Sequence, residues 1–98
     1  MENAYIKING KEIEIPNRLT FGQIEKPEQL GLTLDDIEKK LFSNITIIYS
    51  VIAKCSLETA TNDLDQYFQD GGDFNYLSNA LLNSFTNFFT RATKKNNQ

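Results

Sequence analysis

The side chains of this chain with the greatest chemical potential are carboxylates. Asp63-Leu-Asp65 followed by Asp70-Gly-Gly-Asp73 crowds acidic groups as calcium loops do, because a hard cation takes oxygen ligands at close alternating positions. The spacing does not complete such a loop. An EF-hand needs an acidic ligand just before its turn glycine and a bidentate Glu at about position twelve. Here Tyr67-Phe68 fills the middle and no Glu follows Glu58. The pattern reads as a solvated helix face that ends in a capped turn. Gly71-Gly72 before a helix start suits an anion, but Asp70 and Asp73 flank it and no phosphate-loop lysine follows, so it reads as a helix break. Lys54-Cys55-Ser56 places a thiol beside a cation and a helix start, the setting of an activated thiolate. Cys55 also continues an apolar helical stripe and has no histidine to serve as its base, which makes it a core residue. Asp35 and Asp36 point about 100° apart on a helix and are explained by the N-terminal dipole rather than by acid–base work.

The remaining inventory is sparse. The 98 residues include no His, one Cys, one Met and no Trp, so the commonest general base is missing and neither an internal disulfide nor a thiolate zinc site can form. A non-enzymatic protein with no catalytic residues, no metal and no cofactor is expected. The formal charge of -3 is uneven: residues 1–90 carry 7 basic and 13 acidic groups, whereas Arg91, Lys94 and Lys95 leave the end basic. From Ser56 to Asp73 there is no Lys or Arg. That stretch would repel a phosphate backbone, so nucleic acid is not an expected partner. No apolar run approaches the ~18 residues that cross a bilayer, and the start lacks the features of a signal peptide. The expectation is a cytoplasmic protein with a reduced thiol and no membrane partner.

These groups must be positioned by a small α+β, mainly α domain, expected as one unit over 1–98. Ala4 to Ile15 holds two alternating runs around Asn9-Gly10, a dipeptide suited to the two positive φ angles of a type I′ turn. A two-residue loop pairs Ile8 with Lys11, Ile6 with Ile13 and Ala4 with Ile15, which puts the isoleucines on one face and Lys7 opposite Glu12 on the other. Residues 16–32 read as a packed connection anchored by Leu19, Phe21, Ile24 and Leu30, with any helical turn near Phe21 to Glu25 stopped by Pro27. A bundle of three main helices follows, at about 34–54, 57–70 and 74–92, before a frayed tail at 93–98. Thr33 caps the first, with Leu34, Ile37, Leu41, Ile45, Ile48, Ile52 and Cys55 within about 80° of a helical wheel. Ser43, Thr46, Ser50 and Ala53 form its small-residue face, and Ile45 to Ala53 is apolar around most of the circumference, so this helix is expected at the centre and self-association into a homo-oligomer is allowed. Ser56 caps the second helix, whose apolar side is Leu57, Ala60, Leu64, Tyr67 and Phe68. Asp73 caps the third, with Phe74, Leu77, Leu81, Phe85, Phe88 and Ala92 on one stripe and Asn75, Asn79, Asn83 and Asn87 on a solvated one. The aromatic excess on this last helix suits a protein-binding face, because aromatic side chains anchor interface hot spots. Leu81, Leu82, Phe85, Phe88 and Phe89, aided by Tyr67 and Phe68, are the candidate contact residues.

The layout resembles the small tail assembly chaperones of long-tailed bacteriophages, especially those of Gram-positive hosts. The matching features are Tyr5-Ile-Lys-Ile-Asn-Gly-Lys-Glu-Ile-Glu-Ile15, Arg18-Leu-Thr-Phe21, Asp35-Asp36, Ser56-Leu-Glu-Thr-Ala60 and the Gly71-Gly72-Asp73 break before a final Leu-rich helix. They span nearly the whole chain in pattern and size. The resemblance implies a protein that works in the cytoplasm of the infected or lysogenic bacterial host, coats the tape measure protein while tail tube protein assembles around it, and is absent from the mature virion. It also implies a longer form made by programmed frameshift. Within Lys94-Lys95-Asn96-Asn97, the two lysine codons and the first two bases of the Asn96 codon can form a run of adenines on which a ribosome slips. Two other classes fit the same residues: a small acidic phage or mobile-element regulatory protein that inhibits a host factor, and a structural tail or head-completion protein.

Overall fold

The computed structural model describes residues 3–32 and 40–96. Strands β1 (Ala4–Ile8) and β2 (Lys11–Ile15) form an antiparallel hairpin in the expected register, with Ile8 opposite Lys11, Ile6 opposite Ile13 and Ala4 opposite Ile15. Asn9 and Gly10 take φ of 52° and 76°, the left-handed pair that a type I′ turn requires. Ile6, Ile8 and Ile15 are buried and Ile13 is half-buried, so one face of the ribbon belongs to the core. On the other face Tyr5 Oη donates to the Glu14 carboxylate at 3.3 Å. A lone hairpin is marginal in water; this one packs β1 against α3 (Leu57–Gln69) and β2 against α4 (Phe74–Asn96).

The connection is packed, as expected, through buried Leu19, Ile24 and Leu32, but it contains a nine-residue helix, α1 (Phe21–Gln29), that Pro27 does not stop. The mainly α class holds with four helices rather than three among the described residues. Thr20 and Gln23 make a reciprocal capping box at its start, Gln23 N–H donating to Thr20 Oγ1 at 3.2 Å and Thr20 N–H to Gln23 Oε1 at 2.9 Å. At its end Gly31, at φ 94°, turns the chain so that Leu32 N–H reaches the Pro27 carbonyl and Gly31 N–H that of Glu28, the paired bonds of a Schellman motif. An interior proline costs about 3 kcal/mol through its missing N–H and ring clash. Full burial of the Pro27 ring and of Ile24 and Leu32, worth about 1.5–3 kcal/mol for each aliphatic side chain, offsets that cost. Phe21 and Leu30, read as anchors, point outward instead.

Helix α2 (Leu41–Ala53) packs on α1, α3 and α4 and is the hub of the bundle. The predicted cap Thr33, first-turn acids Asp35 and Asp36, and stripe residues Leu34 and Ile37 lie outside the described residues. Ile45, Ile48, Tyr49 and Ser50 are buried, so both the apolar stripe and the small-residue face carry neighbours. The helix ends at Ala53, one residue earlier than predicted, because Lys54 turns left-handed (φ 58°, ψ 50°). Cys55 therefore sits in the connector rather than on the helical stripe, half-buried.

Ser56 caps α3 as expected, its Oγ accepting from Thr59 N–H at 3.1 Å. Gly71 and Gly72 close α3 with a second Schellman motif: Gly72 N–H donates to the Tyr67 carbonyl and Gly71 N–H to that of Phe68. The Tyr67 ring lies directly on the Cα of Gly72, where a side chain would collide with it. Asp73 then caps α4 by accepting from Asn75 and Tyr76 N–H. Helix α4 continues to Asn96, beyond the predicted end at Ala92, since no glycine or proline interrupts it. Asn97 and Gln98 of the predicted tail lie outside the described residues. Asn75, Asn79 and Asn83 are exposed as expected. Asn87 is half-buried and its amide donates to the Asn17 carbonyl at 2.8 Å, fastening the connection to α4.

Candidate partner-binding surface

The residues expected to form one docking face are divided by the fold. Leu81 and Phe85, at 0% and 1% exposure, and Tyr67, at 8%, belong to the core. The reason is position on α4: its first half, carrying Leu77, Leu81 and Phe85, belongs to the core cluster, and α2 and β2 are elements that pack on this helix. Leu82, Phe88 and Phe89 are half-buried against the edge of that core, and Phe68 alone of the set is exposed.

The exposed phenylalanines fall into two ring clusters, apart from exposed Tyr5 and Tyr76, whose own contact is a 3.4 Å hydrogen bond from Tyr76 Oη to the Tyr5 carbonyl. In the first, the Phe42 ring lies 5.5 Å from that of Phe74, which lies 5.8 Å from Phe68, itself edge-on to Tyr67 at 5.2 Å. Phe42 begins α2, Phe68 ends α3 and Phe74 begins α4, so three helix termini converge on one patch. Phe42 remains 71% exposed despite these contacts. In the second cluster Phe21 contacts Phe88 at 6.3 Å, and Phe88 meets Phe89 at 5.3 Å. The Arg18 guanidinium lies 5.0 Å from the Phe88 ring centroid, a cation–π geometry. Phe21 is also 71% exposed. Phe74 and Phe88 are fourteen residues apart on one helix, which at 1.5 Å per residue separates the clusters by about 21 Å.

Phe42, Phe74 and Phe21 were not among the contact residues read from the sequence. The available signal was that Phe42 lies off the Leu41, Ile45, Ile48, Ile52 stripe, and that Phe21 and Phe74 open their helices, where the last turn of core contact is incomplete.

The four aspartates from Asp63 to Asp73 are each engaged in local structure. Asp63 accepts from Tyr49 Oη and from the Asn9 amide, Asp65 from Gln69, Asp70 from Gln66, and Asp73 caps α4. Among the described residues no group of three or more Asp, Glu, Cys or His side chains converges on a metal-sized site. Burial, reinforced by the Asp63 hydrogen bond and charge, pushes the Tyr49 phenol well above its ordinary range. Burial also raises the Cys55 thiol, with the Asp63 charge adding to the shift and Lys11 opposing it. Cys55 borders a cavity of about 70 Å³ with Tyr49, Asp63 and Lys11, and also a shallow cleft of about 320 Å³ with Lys26 and Lys54. A third cleft of about 240 Å³ separates the open end of the hairpin from Asn83, Ser84 and Asn87. No single helix among the described residues is long and apolar enough to cross a membrane. Comparison with protein-family models, curated proteins and solved structures finds no match.

Proposed function

We propose that this chain is a non-enzymatic tail assembly chaperone that binds the tape measure protein, with tail tube protein as the second component of the same assembly, in the cytoplasm of an infected or lysogenic bacterium. The observation that carries the reading is the aromatic surface: Phe42 and Phe21 each stay 71% exposed in ring clusters whose other members range from buried to exposed. Exposed aromatic side chains beside a rigid helical frame are interface anchors, and a helical client with apolar stripes is the partner they suit. An acidic body supports the same reading, since it keeps many copies soluble while they crowd one client. The resemblance of the hairpin, the connection and the Gly71-Gly72-Asp73 break to that family supplies the identity of the client.

Co-expression with the neighbouring long tape measure gene tests the proposal. The chain should co-purify with the tape measure protein and keep it soluble, and mass spectrometry of purified virions should lack the chain. A tape measure protein that stays equally soluble alone, or recovery of this chain from mature particles, would overturn the reading; the latter would favour a structural tail or head-completion protein. An adenine run through the Lys94 and Lys95 codons into that of Asn96, followed by an overlapping frame, would add the predicted longer form.

A further inference from the structure

We infer that the Phe42, Phe68 and Phe74 patch is a docking surface for a cationic amphipathic helix. The inference deepens the chaperone reading and rests on it for the identity of the natural partner, but the chemistry of the surface follows from the patch itself. Three helix termini bring the Phe42 and Phe68 rings to 5.5 and 5.8 Å from the Phe74 ring between them, and 71% of Phe42 and 37% of Phe68 still face solvent. Such a ledge of rings accepts side chains spaced one helical turn apart on a partner.

The rim decides which partner. Asp65 lies one turn before Phe68 on α3, Asp70 follows it by two residues, and Asp73 immediately precedes Phe74; all three are exposed. Against these three acids stands one exposed cation, Lys40, two residues before Phe42, and α3 itself has none, so acids outnumber bases among the described residues that flank the three rings in sequence. A second copy of this chain would bring the same three aspartates against each other across a symmetric contact, which like-charge repulsion opposes. A helix with an apolar stripe flanked by Lys or Arg meets both features: its stripe covers the rings and its cations reach the acidic rim, with a guanidinium also able to stack on an aromatic face.

The test uses the full chain and two synthetic 20-residue helical peptides that share one Leu and Phe face, the other face carrying Lys in one and Glu in the other. Anisotropy of the labelled peptides should show the Lys peptide binding about tenfold or more tightly than the Glu peptide, and weakening several-fold as salt rises from about 50 to 500 mM. Phe42→Ser with Phe68→Ser should weaken Lys-peptide binding about tenfold or more, the scale of losing interface anchors. Asp65→Asn with Asp70→Asn should weaken it about threefold and flatten the salt dependence, and Leu30→Ser, at an exposed apolar residue outside both ring clusters, should leave it unchanged. Circular dichroism confirms that each variant remains folded. Equal affinity for the two peptides, undiminished binding by the Phe42 and Phe68 double variant, or a Phe42-dependent dimer that takes up neither peptide would overturn the inference. Tape measure protein captured equally by the Phe42 and Phe68 double variant would remove this surface while leaving the chaperone reading in place. Lys-peptide binding as described, with no capture of tape measure protein, would do the reverse.

Discussion

Tyr49 Oη donates a 3.0 Å hydrogen bond to Oδ2 of Asp63, joining the hub helix α2 to α3 from a side chain with no exposed surface. The other oxygen of that carboxylate accepts from the Asn9 amide at 2.9 Å, so the hairpin turn, α2 and α3 meet at one acid. Asp63, which on sequence alone belongs to a solvated acidic face, is thus a structural joint.

Replacing Tyr49 by Phe removes the donor and leaves Asp63 with Asn9. The expected loss is about 1–2 kcal/mol, read as a lower urea midpoint at neutral pH. The same phenol gives an alkaline limit to stability. Its folded pKa lies above the unfolded value of 10.0, so its contribution is intact below about pH 10 and is lost as pH rises through that value toward the folded one, where the unfolded chain releases a proton that the native state retains. Denaturation midpoints of the wild type should therefore fall more steeply above pH 10 than those of Tyr49→Phe, and parallel curves would contradict the assignment.

Gly72 is required for its lack of a side chain, since a Cβ there collides with the Tyr67 ring. Gly72→Ala should cost about 1–3 kcal/mol by overpacking, and combining it with Tyr67→Leu should recover part of that loss in a double-mutant cycle. Gly71, at φ 93°, is required for its backbone instead. Gly71→Ala should cost about 1 kcal/mol whatever stands at Tyr67, as thermal melts of the same set would show.

Ser84 is fully buried and its Oγ has no hydrogen-bond partner among the described residues, whereas its backbone carbonyl accepts from Leu19 N–H at 3.0 Å. Ser84→Ala keeps the carbonyl and removes the orphaned hydroxyl. The variant should match or exceed wild-type stability by up to about 1 kcal/mol. A clear loss in urea denaturation would mean that the hydroxyl is satisfied.

Phe85 and Phe42 should separate stability from binding. Phe85→Ala empties a core position and should cost about 3–5 kcal/mol, a large share of the stability of a domain of this size. Phe42→Ala, at a mostly exposed site, should shift stability by about 0.5 kcal/mol or less. Calorimetric melts that ranked the two in the opposite order would contradict the division of the aromatic residues described above.

The legibility of the fold varied with how local its cause was. The hairpin could be read because period-two isoleucines and Asn9-Gly10 specify the same register independently. Ser56 and Asp73 could be read as caps, because a short polar side chain satisfying free N–H groups is a property of a few adjacent residues. Helix α1 could not, because the rule that proline ends a helix is local, whereas burial of Pro27 and the left-handed Gly31 that offset its cost depend on the packed molecule. Lys54 likewise ends α2 in a conformation that a non-glycine residue rarely takes.

By itself, then, the sequence determined the α+β class, the strand register, the later helix starts and the absence of histidine and paired cysteine chemistry. Tertiary structure alone decided which apolar residues are available to a partner. Periodicity marks Leu81, Phe85 and Phe88 as one stripe because they share an angular position on the helix, but whether a stripe is covered depends on which neighbouring element crosses it and where. The hairpin and α2 pack on α4, so Leu81 and Phe85 became core, while helix termini brought together from three separate stretches left Phe42 and Phe68 exposed beside half-buried Phe74 and a mainly acidic rim.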